Sequence, residues 1–414
     1  MTSPAYGPAN HPAKYDRLVV IFSDIEMGAG GRADDFPHSP FLADLLLSYL
    51  DGPTAEKQID FVFNGDTFDL LKTKYLGAYP RHVGKDISVA KMTSIAAAHP
   101  KFFEALSRIV DHESKNKSVH FIIGNHDAEL LFPKAQNFIK ALCGGDERVN
   151  FPGFTWDCGP LRVEHGSQSD PLFRIDPEAP FIEQKEGDLL NLPWATVMLL
   201  DVVMPLHELL YFHDRVVPSN RVTELVPEIR ELLMALAWKY WTRDFWREFI
   251  GFKDPLLKFN WTMAKEIVKR FTTGDPDVQL NRDWLKQSVE ATPQTLFVTG
   301  HLHKPGNFFH QGKRVIQSGC FRDEYSVSDD GKTFSPQLKN YLEIFLDGED
   351  IAALNARELK GPARDPADIP DSVFDVVPEV QARLQQLGDL SKHKSKQKEQ
   401  ERKEADESEN DGGG

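Results

Sequence analysis

Val119-His-Phe-Ile-Ile123 running directly into Gly124-Asn125-His126-Asp127 is the stretch on which the fold turns. A short run of β-branched and aromatic residues reads as a buried strand, and the polar cluster behind it reads as what that strand delivers at its C-terminal end. The same pattern recurs upstream, where Leu18-Val-Val-Ile-Phe22 leads into Ser23-Asp24-Ile25-Glu26 and Ile59-Asp-Phe-Val-Phe63 leads into Asn64-Gly65-Asp66. Downstream, Leu161-Arg-Val-Glu164 meets His165-Gly166, and Thr295-Leu-Phe-Val-Thr299 meets Gly300-His301-Leu302-His303. Arg314-Val-Ile-Gln317 and Tyr341-Leu-Glu-Ile-Phe-Leu346 add two more strands. Apolar residues at spacings of three and four predict helices over Pro40 to Leu50 and about Asp86 to Val110. The sum is a mixed α/β sandwich rather than a purely parallel sheet.

The interval between His165 and His301 reads as helical, which makes it an insertion rather than a loop. From Leu225 to Phe252 its spacing carries Leu232, Leu233, Leu236, Trp238, Trp241, Phe245, Trp246 and Phe249, with Glu231, Lys239, Arg243 and Glu248 on other faces. This predicts helices packing as a cap. Part of the aromatic surface, read through Trp241 and Phe245, is the candidate contact for an apolar substrate or a membrane edge. The expected organisation is a flexible leader over 1–14 and a main domain over 15–360 with the helical cap at about 170–292. An extension over 361–388 and a solvated charged tail over 389–414 complete it.

The chain of 414 residues has a formal net charge of −15, which disfavours a generic grip on nucleic acid. Cys143, Cys158 and Cys320 match neither a zinc ribbon nor a disulfide framework, and a reducing, cytoplasmic setting fits them best. The most apolar stretch, Leu192 to Phe212, is interrupted by Pro193, Asp201, Pro205, His207 and Glu208, so no membrane span is expected. Location peripheral to a membrane stays open.

The strand ends supply carboxylates, an amide oxygen and imidazoles, all metal-ligand types. In Asp24-x-Glu26 and His301-x-His303, alternation on extended backbone would aim both polar side chains one way and turn Ile25 and Leu302 into the core. This donor mixture suits Mn, Fe, Zn, Co or Ni better than an all-oxygen calcium cage.

In their order, Asp24-x-Glu26, Gly65-Asp66, Gly124-Asn125-His126-Asp127, His165 and Gly300-His301-x-His303 resemble the calcineurin-like metallophosphoesterase superfamily. The resemblance runs from about Arg17 to Leu346. It implies a four-layer α/β/β/α sandwich and two divalent ions, Mn, Fe, Zn, Mg or Ni with Mn favoured. Asp66 would then bridge both ions, Asp24 and His303 would hold the first, and Asn125, His165 and His301 the second. His126 would be catalytic, and Asp69 and Asp127 would orient their neighbours. Glu26 departs from the pattern, because the family usually has histidine there. A glutamate oxygen can still ligate and would harden the first site toward Mn or Mg.

The implied reaction is hydrolysis of a phosphomonoester, phosphodiester or diphosphate by metal-activated hydroxide, with no covalent enzyme intermediate. A protein phosphatase is disfavoured, because Gly65-Asp-Thr-Phe-Asp-Leu-Leu71 lacks that group's longer signature. The UDP-2,3-diacylglucosamine diphosphatases are loosely similar in their helical insertion and in a turn matching Gln317-Ser-Gly-Cys-Phe321, which opens a lipid-like substrate. A nuclease, or an interaction protein on a degenerate scaffold marked by Glu26, completes the alternatives.

Overall fold

Strand β1 (Arg17–Phe22) shows how this sequence makes layers. Its side chains alternate, so Leu18, Val20 and Phe22 enter one apolar cluster while Val19 and Ile21 enter another. Neighbouring β2 (Gln58–Asn64) and β3 (Lys117–Ile122) do the same, with Ile59, Phe61, Phe63, Val119 and Phe121 on the first side and Val62 and Ile122 on the second. A strand buried on both faces needs cover on both, and the computed structural model supplies it. The structure describes residues 11–250, 254–257, 261, 265 and 285–388.

Parallel β1, β2, β3 and β4 (Val149–Gly153) are four strands of a six-stranded sheet. Next come β5 (Thr155–Cys158), β6 (Leu161–Glu164), a short hairpin of β7 (Phe181–Ile182) and β8 (Leu189–Leu190), and β9 (Leu296–Thr299). Then follow β10 (Pro305–His310), β11 (Lys313–Ser318), a small ribbon of β12 (Tyr325–Val327) and β13 (Phe334–Pro336), β14 (Lys339–Asp347) and β15 (Asp350–Leu359). The larger sheet has the order β15-β14-β1-β2-β3-β4 and the second β10-β11-β9-β6-β5. Both are mixed, as expected, because β14 is antiparallel to β1 while β9 is parallel to both β6 and β11.

Apolar residues of the two sheets share one cluster: Val19, Ile21, Val62 and Ile344 from the first, Trp156, Val163, Val298 and Ile316 from the second. On the far face of the larger sheet lie the helices Ser39–Leu47, Lys85–Ala98 and Pro100–Val110 through Leu42, Leu46, Met92, Ile95, Phe102 and Leu106. On the far face of the second sheet, Leu285 and Val289 of a helical turn meet Phe297 and Val315. The helix expected over Asp86 to Val110 is two helices. Pro100 has no N–H to continue the first, and its fixed φ suits the first position of the second.

The insertion is largely helical among its described residues. Its run breaks at Val226 before Pro227 and resumes as Pro227–Lys239, a π-helical turn Tyr240–Asp244 and Phe245–Ile250. The extension ends in a helix over 377–388 whose Val380, Leu384 and Leu387 pack with Leu206, Phe212 and Val222 of the insertion. Residues 1–10 of the expected leader, much of 251–284 in the cap and the tail over 389–414 lie outside the described residues.

Phe63 ties the larger sheet to its helices. Its ring stacks on Phe22 and Phe121, its register partners on either side, and meets Phe102 edge-on. Phe63→Ala should therefore destabilise the fold by about 3–5 kcal/mol, read as a lowered urea midpoint with unchanged slope. A loss under about 1 kcal/mol would show that the stack is dispensable.

Candidate metal centre

Every candidate ligand lies just beyond the C-terminal end of a strand. Asp24 and Glu26 follow β1, Asp66 follows β2, Asn125 and His126 follow β3, His165 follows β6, and His301 and His303 follow β9. The loops are knit by backbone bonds. The Asp24 and Glu26 N–H groups donate to the carbonyls of Gly65 and Asp66 at 3.3 and 2.8 Å, and the Gly300 N–H donates to the His165 carbonyl at 2.8 Å.

The backbone here is not the extended one that alternation predicts. Asp24, Glu26, Asp66, His301 and His303 all adopt left-handed conformations, with φ of 51, 52, 50, 70 and 56°. They are five of the eight non-glycine residues with positive φ among the described residues. Each such conformation costs about 1–3 kcal/mol and persists only where its surroundings over-determine it. The chain has left the ladder at these positions, so its N–H groups turn to neighbouring loops. Ile25 is fully buried as expected, whereas Leu302 is only half-buried.

Two glycines permit the crowding. A Cβ on Gly124 would stand 2.1 Å from Asp66 Oδ1, and one on Gly300 would stand 2.0 Å from Ser23 Oγ and 2.6 Å from Asp24 Oδ2. Any side chain there would displace a candidate ligand.

Asp66 is the hub. Its Oδ1 accepts the His126 N–H at 2.7 Å, and its Oδ2 lies 3.1 Å from His165 Nε2. That Nε2 is also 3.2 Å from Asn125 Oδ1, while His165 Nδ1 donates to the Asn64 carbonyl at 2.9 Å. Asp66, His165 and His301 offer ligand atoms within 4.8 Å of one another. His301 Nε2 also stands 3.5 Å from Asp170 Oδ2. On the other side, His303 Nε2 is 3.3 Å from Asp24 Oδ1 and 3.4 Å from Glu26 Oε1, with Nδ1 held 2.9 Å from Glu324. Asp69 Oδ1 is 3.1 Å from His126 Nδ1. Asp127 accepts the N–H groups of Thr67 and Gly124 at 2.8 and 2.7 Å, which pins the two loops together.

Charge is concentrated accordingly. Burial opposes a charged His165, but Asp66 and Asp24 outweigh it and hold the imidazole up at about 9. Burial likewise opposes a charged His126, which Asp66, Glu26 and Asp69 push up to about 10. For His303, burial and Arg322 oppose the charge, yet Asp24 and Glu324 raise it to about 10. Asp66 is held well below the ordinary carboxylate range by His165 and His126 despite its burial. Asp127 is pushed up to about 7 by burial and by the Asp66 charge.

Glu26 has partners the sequence did not announce. Arg322 Nη1 donates to both of its oxygens at 3.1 and 3.0 Å, and Lys72 Nζ to Oε2 at 2.9 Å. Lys72 also meets Asp35 at 2.6 Å, Asp214 at 2.7 Å and Asp69 at 3.3 Å, and Arg322 meets Glu324 at 3.2 Å. Lys72 stands three residues after Asp69, and Arg322 to Glu324 directly follow the turn ending at Phe321, so both signals adjoin recognised motifs. Asp170 and Asp214 come from the insertion and carry no local signal. Cys320 is buried beside His303 and Glu324, with its thiol pushed well up by burial.

No family model matches this chain, and no curated protein matches it. Among solved structures it is similar to the phosphopantetheinyl hydrolase from Mycobacterium tuberculosis, at 12% identity over 74% of this chain and 90% of that chain. The TM-score is 0.27, too low for the likeness to carry weight.

Proposed function

We propose that this chain is a metal-dependent phosphoesterase with a dinuclear centre, on a four-layer α/β/β/α fold. The cluster shared by the two sheets, with helices on both outer faces, supports that layering. The observation that carries the function is the convergence of Asp24, Asp66, Asn125, His165, His301 and His303 from five strand ends onto one spot. Close carboxylate–imidazole pairs, with glycines where side chains would intrude, fit a divalent-ion centre of mixed oxygen and nitrogen donors.

Asp24 and His303 would hold one ion, Asn125, His165 and His301 the other, with Asp66 between them. Glu26 reaches toward the first through Oε1, while Arg322 and Lys72 offset its charge. Manganese is the favoured metal. Such ions, when bound, supply Lewis acidity toward phosphoryl oxygens and a water acidic enough to attack at neutral pH. Asp69 holds the His126 ring through Nδ1, which leaves Nε2 to donate a proton to the departing oxygen. The substrate class is a phosphomonoester, phosphodiester or diphosphate. A lipid-precursor diphosphate is the narrower alternative, which rests on the loose resemblance of the insertion alone: the crevice beside His126 is lined by Lys91, Asn125 and Glu129 as well as by Leu71, Val83 and Leu192, and has room for about one water molecule. Strain concentrated on five ligand positions argues against a degenerate scaffold, which would have nothing to maintain it.

Metal content by mass spectrometry, paired with hydrolysis of mono- and bis-aryl phosphates with added Mn, tests the proposal. Two metals per chain and turnover are expected. His126→Ala should keep the metals and lose about 10²–10⁴-fold in turnover, whereas Asp66→Asn should lose both metal and turnover. Full activity in Asp66→Asn would remove the mechanism.

Metal uptake should also release protons. In the metal-free chain His165, near 9, and His303, near 10, are protonated at pH 7, and ligation requires neutral imidazole. Affinity should therefore rise with pH toward those values and fall below them. Calorimetry in two buffers of different ionisation enthalpy should register close to two protons released per chain, and zero release would exclude both histidines as ligands.

A further inference from the structure

Glu129 is a buried carboxylate that the metal centre does not use. It follows the Gly124-Asn125-His126-Asp127 motif in the helical turn Ala128–Leu131 and is only 5% exposed. The helix Lys85–Ala98 holds it from the other side, where Ser88 Oγ donates to its carbonyl at 3.1 Å and Lys91 Nζ pairs with its Oε1. Ser88 and Lys91 are three residues apart and so share one face of that helix. Lys91 is itself 2% exposed, so the pair lies out of water. The second oxygen of Glu129, Oε2, is buried and meets no hydrogen-bond donor among the described residues. Burial pushes the carboxyl up even against Lys91.

Asn125 presents the complementary gap. Its Oδ1 lies 3.2 Å from His165 Nε2, on the side of the second ion. Its Nδ2 donates to no group among the described residues, although Asn125 is 7% exposed. A side-chain amide has nearly the same shape either way round, and its partners alone decide whether oxygen or nitrogen faces a given point. A ligand role for Oδ1 therefore needs an acceptor behind Nδ2.

Glu129 and Asn125 line the same crevice, with Lys91 and His126, and it has room for about one water molecule. Leu190, Leu192 and Leu200 of the insertion wall it on one side. They belong to the apolar cluster that also takes in Phe245, on which Trp241 packs at 5.0 Å. Trp241 and Phe245, expected to be offered outward, thus turn inward and back the crevice. Apolar walls give a polar occupant nothing, so its partners are the polar lining residues. A water there can accept from Asn125 Nδ2 and from Lys91 Nζ and donate to Glu129 Oε2, and three bonds are what a buried water typically makes. A cation is unsuited beside Lys91, and no larger molecule fits.

We infer that one buried water bridges Asn125 Nδ2 to Glu129 Oε2, and that Glu129 is thereby a positioning residue that turns the Asn125 oxygen toward the second ion. This rests on the reading of Asn125 as a ligand of that ion.

Removing Glu129 alone would strand a buried ammonium, so the variant tested replaces the pair, Lys91→Met with Glu129→Met. Glu129→Gln, which keeps a polar partner of the same size, is its conservative counterpart. Manganese titration of the full chain should show two ions in the wild type. In the double variant one of the two should bind about 10–100-fold more weakly while the other ion and the melting temperature hold, and Glu129→Gln should recover most of the loss. A crystal structure of the wild type should show one water within hydrogen-bond distance of both Asn125 Nδ2 and Glu129 Oε2, and this decides the matter should the double variant fail to fold. Two ions held at wild-type affinity by the double variant, or both weakened alike, overturn the inference, as does a crevice without that water. A wild type that binds no manganese overturns the dinuclear reading itself, and the role of Glu129 with it.

Discussion

The Asp66 carboxylate is the contact on which the rest of the centre depends. One oxygen accepts the His126 N–H after β3, the other faces His165 after β6, and the Asp66 carbonyl receives the Glu26 N–H after β1. Three strand ends from two sheets are thus referenced to one residue. Gly124 lets that side chain sit where any Cβ would collide with it. The left-handed backbone at Asp24, Glu26, Asp66, His301 and His303 follows, because loops this close can satisfy their N–H groups only by turning toward one another. Strain is local, and the two apolar clusters flanking the larger sheet hold it in place.

Around that hub the molecule manages negative charge. Asp24, Glu26, Asp66, Asp69 and Asp35 are all buried. Uncompensated, so many carboxylates could not stay ionised out of water. The protein divides the task. Histidines and the proposed ions face Asp24 and Asp66, while Lys72 and Arg322 face Glu26, Asp35 and Asp69. A buried glutamate in this place needs cations behind it, and both are present. Removing either cation would leave a buried carboxylate exposed to its like-charged neighbours, so Glu26, Lys72 and Arg322 act as one unit.

This explains what the sequence could and could not disclose. Seven of the strands were legible because a short β-branched or aromatic run is a local property, whereas others such as β4, β5, β10 and β15 were not read, and the motifs were legible because each lies within a few residues of a strand end. The pairing of Asp24 with His303, 279 positions away, came from the family resemblance, not from any local signal. Asp170 and Asp214 had neither a local signal nor a place in the resemblance, and only the fold brings them to their partners. In the cap, the three-and-four spacing told two faces apart without telling which one turned inward. Nothing in the spacing reveals that Phe245 is buried while Trp246 is open, because both fit the same pattern.

The division into main domain, cap and extension, natural in sequence, is weaker in the folded chain. Arg215 of the insertion donates to the carbonyls of Arg32 and Asp34 at 3.0 and 2.8 Å, and binds Asp35 at 2.6 Å. Arg364 of the extension donates to the same two carbonyls. Both guanidinium groups are buried, and both grip the loop that follows Glu26. Next to Arg215, Asp214 reaches Lys72 and Arg322, the cations that hold Glu26. Shifting the insertion would thus pull on Asp35, Lys72 and Glu26 together, through charged contacts that tolerate little displacement once desolvated. The cap is built into the electrostatics around Glu26, and a cap that moved as a free lid would have to break those contacts first.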